Sequence, residues 1–138
     1  MPNLDLLTTN DRIHAPVLPG DVGYDLEALC YVSIYPGFRA TIPTGVSVEL
    51  PDNTWGMIVP RSKSNQQGLM VLLGVIDTGY RGQLQVLVYN ASRSRIHVAV
   101  GEKVAQLVLL PSVVPKIRIV DRLSDSVRAC NGWGSTGK

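Results

Sequence analysis

The chain has 138 residues, enough to bury a core as a single domain, and its 45% hydrophobic and 17% charged residues match an ordinary globular protein. A formal charge of +2 argues for neither a nucleic acid nor a membrane surface as partner, although the local placement of the arginines counts for more than the sum. Cys30 and Cys130 lie far apart, with no CxxC and no Cys/His cluster, so a zinc site has no support and two free thiols in a reducing cytosol are a better reading than a disulfide.

The first residues, MPNLDLLTTNDR, carry acids and amides where a signal peptide needs an apolar run. No segment approaches the ~20 apolar residues of a membrane span. A cytoplasmic location is expected, or a nuclear one if the source is eukaryotic or viral. The dominant period further on is two. In TGVSVELP, Val46, Val48 and Leu50 alternate with Ser47 and Glu49. The best helical candidate is one short turn around Ser62 to Gln67. Leu84, Val86 and Val88 then alternate with Gln83, Gln85 and Leu87, and Ile96, Val98 and Val100 repeat the pattern, as does KIRIV near the end. Such alternation places one face in a core and the other outside. Glycine and proline punctuate the runs, from Pro36-Gly37 to Pro111 and Pro115, and predict an all-β sandwich or barrel. The tail NGWGSTGK is too glycine-rich to pack alone and is expected to be mobile until something orders it.

Five stretches look unlike sheet filler: GYDLEA (23–28), PRSKS (60–64), GVIDTGYRG (74–82), GEKVAQL (101–107) and RACNGWGSTG (128–137). Asp25 can be a turn or surface acid, or can help to position a metal. Arg61 and Ser62 after Pro60 can open a helix with Ser62 as its cap. The same start gathers free backbone N–H groups, a guanidinium and a hydroxyl, which suits a phosphate. Gln106 can be an edge residue, or an amide that finds its partner in a ligand. Asp77 can be a turn acid, or a carboxylate on a rigid hairpin, next to the Gly79-Tyr80 turn, that takes a proton from water. GWGSTG can be a disordered tail, yet a Trp among glycines makes more sense as a plate closing over a flat ligand. Taken together, Arg61, Ser62, Gln106, Arg128, Ser135 and Thr136 suit a polyphosphate, and Trp133 and Tyr80 suit a base and a sugar. There is no G-x-x-x-x-G-K-[ST], so this is not a P-loop enzyme.

In order and spacing, the five stretches resemble the five motifs of the trimeric dUTP diphosphatases, over roughly Gly20 to the C-terminus. The resemblance implies a jelly-roll-like β domain (1–127) with a mobile C-terminal arm (128–138), in a homotrimer with its sites at subunit interfaces. It implies hydrolysis of dUTP to dUMP and pyrophosphate with Mg²⁺, keeping uracil out of DNA and supplying dUMP for dTMP synthesis. Asp77 would activate the attacking water, and Tyr80 would pack against the deoxyribose. Arg61, Ser62 and Gln106 would hold phosphates, with Lys63 beside them. Asp25 would reach Mg²⁺ through water. Gly74, Val75 and Ile76 would lie against the nucleotide. Arg128, Gly134, Ser135 and Thr136 would close on the terminal phosphates, and Trp133, where the family usually has Phe, would stack on uracil. No nucleic-acid or membrane partner is implied.

Departures from the family pattern bear on specificity. Lys63, Ser64 and Asn65 follow PRS where small and apolar residues are usual, and Lys63 adds a charge beside the phosphates. Val71, Leu72 and Leu73 offer no side-chain donor to a base, so backbone groups would read uracil. Ala129, Cys130 and Asn131 stiffen the arm. The related dCTP deaminases need a Glu three residues before the Asn of a YN-like stretch; here Leu87 precedes Tyr89-Asn90, and an alkyl chain shuttles no protons. Hydrolysis of another deoxynucleotide such as dCTP, or a non-catalytic binding or signalling role, are the alternatives.

Overall fold

The two longest alternating runs pair with each other. Strand β5 (Arg39–Glu49) and β9 (Gln83–Asn90) run antiparallel, with Ile42 opposite Val86 and Ala40 opposite Val88. Ile42, Val46, Leu84, Val86 and Val88 are fully buried, as their period of two predicts. The register breaks between Pro43 and Ser47, where Gly45 takes a left-handed φ of 70°. The buried Thr44 hydroxyl donates to the Leu84 carbonyl at 2.6 Å and accepts from the Val46 amide, so the kink leaves no buried polar group unpaired. β1 (Leu7–Thr8) and β7 (Leu69–Val71) complete this sheet in the order β1-β5-β9-β7.

A second sheet packs across the core, in the order β2-β3-β11-β6-β8: β2 (Ile13–His14), β3 (Gly23–Glu27), β11 (Lys103–Pro111), β6 (Thr54–Val59) and β8 (Gly74–Ile76). A two-stranded ribbon of β4 (Val32–Ile34) and β10 (Ile96–Val98) closes one end. Leu26, Ile58, Ala105 and Leu107 face the shared core from the second sheet, and full burial of each larger aliphatic side chain contributes about 1.5–3 kcal/mol. The only helix among the described residues is α1 (Ser62–Gln67). This computed structural model describes residues 1–132, and the architecture is the expected all-β jelly-roll type.

Several local expectations change. The last alternating runs do not all become strands. β10 stops at Val98, and Val100 is exposed in a turn. KIRIV forms no strand, and both Ile117 and Ile119 are 94% exposed, because no strand among the described residues pairs with this segment. β7 and β8 join different sheets, so the run before Asp77 is a crossover and not a hairpin; the turn after Asp77 likewise leads from β8 in one sheet to β9 in the other. Arg61, not Ser62, is the N-cap residue of α1, and it makes no side-chain capping bond. Cys30 and Cys130 are both free and exposed.

Candidate functional site

The register of the second sheet assembles a charged cleft, lined by Asp21 and Asp25 as well as by Arg61 and Lys63. β11 lies between β3 and β6, with Gln106 opposite Asp25 on one side and Val59 on the other. Their neighbours Leu26, Ile58, Ala105 and Leu107 point into the core, so Asp25 and Gln106 share the outer face. β6 then ends, and Arg61 arrives two residues beyond Val59 beside Asp25. The Arg61 Nε is 2.9 Å from Asp25 Oδ1, and the Arg61 Nη1 donates to the Lys103 carbonyl at 3.2 Å. Lys103 Nζ stands 3.9 Å from the other Asp25 oxygen. Asp25 is thus a strand residue held between two cations, and not a turn acid.

Gln106 is held as closely. Its Nε2 donates to the Pro60 carbonyl at 3.1 Å, and its amide oxygen lies over Gly23. A Cβ on Gly23 would fall 1.8 Å from that oxygen, so only glycine leaves the Gln106 amide its present place. These residues form one wall of a cleft of about 570 Å³, together with Ser62, Lys63 and the loop from Ala15 to Val22. Ser62 and Lys63 begin α1, whose first amides have no intrahelical carbonyl to bond. An Arg, a Lys, a hydroxyl and an amide converging on one cleft match the chemistry of a phosphate chain.

Asp77 lies elsewhere. Ile76, opposite Gly56, buries its side chain, and the chain then leaves the sheet with Asp77 exposed. The turn that follows is pinned at several points. The Tyr80 amide donates to the Asp77 carbonyl at 3.0 Å, the Thr78 hydroxyl donates to the Thr54 carbonyl, and the Tyr80 hydroxyl donates to the Gln83 carbonyl at 2.8 Å. Among the described residues Asp77 forms no ion pair, in contrast to Asp25. Val75, Ile76, Asp77 and Tyr80 line a second cleft of about 360 Å³, which shares no lining residue with the first. Gly74, at the start of β8, is opposite Ile58.

One copy of the chain therefore gathers Asp25, Arg61, Ser62, Lys63 and Gln106 in one place, and Val75, Ile76, Asp77 and Tyr80 in another. It brings Arg128 to neither: that side chain is exposed and donates to the Asn131 carbonyl at 2.6 Å. Trp133, Gly134, Ser135 and Thr136 lie outside the described residues. Two participants escape a reading of the sequence, although both sit in stretches that stand out there. Lys103 and Gly23 act through cross-strand geometry that spacing along the chain does not reveal.

Among the described residues no three His, Cys, Asp or Glu side chains cluster as metal ligands. A Mg²⁺ ion that keeps several of its waters needs only one or two carboxylates and the phosphates of a substrate. Asp25 is a carboxylate at the cleft wall that such an ion could use, and both of its oxygens already face cationic groups.

The sequence profile of the family described as dUTPase matches residues 10–137. A deoxyuridine 5'-triphosphate nucleotidohydrolase of Leifsonia xyli subsp. xyli is 43% identical over 138 residues, spanning 97% of this chain and 91% of its own. One of Clostridium tetani is 43% identical, spanning 98% and 95%. A structure of Staphylococcus bacteriophage 80alpha dUTPase with dUPNHPP superposes with a TM-score of 0.91 at 26% identity, over 98% of this chain and 99% of that one.

Proposed function

The chain belongs to the dUTPase family, and from that premise we infer that it hydrolyses dUTP to dUMP and pyrophosphate, which keeps uracil out of DNA and supplies dUMP for dTMP synthesis. The observation that carries this reading is the match over residues 10–137, which takes in the Arg61 cleft, the Asp77 turn and most of the tail in one span.

In the proposed site, Arg61, Ser62, Lys63 and Gln106 hold the phosphate chain in the first cleft. Arg61 exchanges the Asp25 carboxylate for a phosphate oxygen, so its ion pair at 2.9 Å keeps the guanidinium placed before substrate arrives. Asp77 accepts a proton from the water that attacks the α-phosphorus, and Tyr80 packs against the deoxyribose. Gly74, Val75 and Ile76 offer backbone groups to the base, the side chains of Val71, Leu72 and Leu73 having no donors. A general base supplies about 10²–10⁴-fold, whereas enzymes acting on such slow reactions lower barriers by ~8–23 kcal/mol. Placement and charge stabilisation by Arg61 and Lys63 must carry the larger share. Mg²⁺, when bound, would add charge neutralisation along the phosphates, with Asp25 holding its water shell.

A homotrimer is part of the same proposal. The two clefts share no residue within one copy, and a neighbouring copy can bring an Asp77 turn to a phosphate cleft. The segment from Val113 to Val127 exposes Val113, Val114, Ile117, Ile119, Leu123 and Val127, an apolar run that a second copy would cover. With Pro111 to Pro115 as hinge, this segment carries residues 128–138 across to the neighbour. There Arg128, Gly134, Ser135 and Thr136 would close on the phosphates, and Trp133 would stack on uracil. Asp77→Asn tests the assignment of roles: it should bind a non-hydrolysable dUTP analogue as wild type does while kcat falls about 10²–10⁴-fold. Near-normal turnover would remove Asp77 from the mechanism.

A further inference from the structure

We propose that the ribbon of β4 and β10 is a binding site for single-stranded nucleic acid, separate from both clefts. The charge of the chain is unevenly placed. Ala28 to Val48 and Thr78 to Gly101 hold none of the 11 acidic residues, yet include Arg39, Arg81, Arg93 and Arg95. The ribbon draws on both segments, and its two strands carry no carboxylate. Arg81 is paired with Glu49 at 3.6 Å, and Glu102 adjoins the ribbon where its Oε1 accepts from the Ala99 amide just past β10, which leaves Arg93 and Arg95 as the cations of the ribbon and its loop.

The register turns this composition into a surface. Ser33 is opposite His97, and the neighbours two positions away on the same face are Tyr31 and Tyr35 on one strand and Arg95 on the other. Tyr31 stacks on His97, with ring centres 5.9 Å apart and planes at 28°, and its hydroxyl lies 2.5 Å from His97 Nδ1. Arg95 lies over the Tyr35 ring, 4.7 Å from its centre, and its Nε donates to the Ser33 hydroxyl. Both tyrosines remain more than half exposed, at 54% and 56%. The result is two ready-made plates, each with one aromatic face covered by a cationic or imidazole group and the other open. Four residues of extended chain put them about 13 Å apart. Phe38, 65% exposed, flanks Tyr35 across the Pro36-Gly37 turn, where its amide donates to the Tyr35 carbonyl at 3.1 Å.

The surface is held in place from beneath. Asn90, fully buried, donates to the Ile34 carbonyl at 2.9 Å and to the Ser94 carbonyl at 2.8 Å, and accepts from the amide and hydroxyl of Ser92. The loop that carries Arg93 and Arg95 is thereby tied to β4. Aromatic plates interleaved with arginines, on a rigid ribbon whose own strands carry no acid, fit an anionic polymer with flat, unstacked groups. An acidic peptide would satisfy the arginines and leave the plates unused.

The test is fluorescence anisotropy of labelled oligo(dT) with the full-length protein, in the presence of saturating dUPNHPP so that the phosphate cleft is filled. Wild type should bind with an affinity that falls as salt rises. Tyr35→Ala should weaken binding about 5- to 150-fold, the usual range for one lost base stack. Arg93→Ala with Arg95→Ala should reduce the salt slope by about 1.4, at ~0.7 for each phosphate contact on a single strand. All variants should keep wild-type dUTP turnover, since these residues border neither cleft; Tyr31→Ala provides an independent second plate mutant. Absence of binding at low salt, equal binding by the variants, or equally tight binding of poly-glutamate would each overturn the proposal.

Discussion

Gly23→Ala tests the cleft without touching a residue expected to contact substrate. The new Cβ would stand 1.8 Å from the Gln106 amide oxygen and 2.7 Å from its Cδ, distances no real Cβ shows. The obstacle is the end of a flexible side chain, so the backbone can stay while the Gln106 amide leaves its place and gives up its bond to the Pro60 carbonyl. That neutral bond contributes about 0.5–1.5 kcal/mol, and alanine returns about 0.4–1 kcal/mol through the unfolded chain. The stability change should therefore stay within about 1 kcal/mol. The activity change should not. Gln106 aimed at a phosphate makes a hydrogen bond to a charged group, for which about 1.5–3 kcal/mol is usual, or roughly 10- to 150-fold in kcat/KM. Steady-state pyrophosphate release by Gly23→Ala, Gln106→Ala and the double variant forms a cycle. Because both changes remove the same amide, the double variant should be no worse than Gln106→Ala alone. Wild-type kcat/KM in Gly23→Ala, or losses that multiply, would refute this account of Gln106.

Three further outcomes are expected. Removal of residues 128–138 should lower kcat strongly while light scattering still reports a trimer; a monomer before or after truncation contradicts the interface reading. Trp133 fluorescence should change on addition of dUPNHPP, against Trp55 as an internal background, since stacking on a base contributes about 0.5–1.5 kcal/mol beyond burial. Asn90→Ala should destabilise the protein by about 1–3 kcal/mol, because it leaves the Ile34 and Ser94 carbonyls without their donor, measured by urea unfolding at one protein concentration.

The parts of the fold that a period of two can encode were legible. Val46, Val48 and Leu50, and Leu84, Val86 and Val88, are buried as the pattern predicts, and α1 occupies the predicted Ser62 to Gln67. The same rule failed at KIRIV, because alternation shows that a face is apolar and not which chain covers it. Ile117 and Ile119 find no cover among the described residues of their own chain. Cross-strand relations were not legible. Arg61 meets Asp25 only because β11 sits between their strands, and Gly23 matters only because Gln106 folds over it. The likeness in motif order named the residues, whereas pairing register decided which of them one copy brings together. The charge sum hid the acid-free ribbon for a similar reason: it counts arginines without placing them.

The most direct test of the central claim is pyrophosphate release by the purified protein from dUTP and, separately, from dCTP, dTTP, dATP and dGTP, with and without Mg²⁺. The site described here predicts rapid, Mg²⁺-stimulated release from dUTP and far slower release from the other four, with dUMP as the second product. No release from dUTP, or release from dCTP at an equal rate, would contradict it.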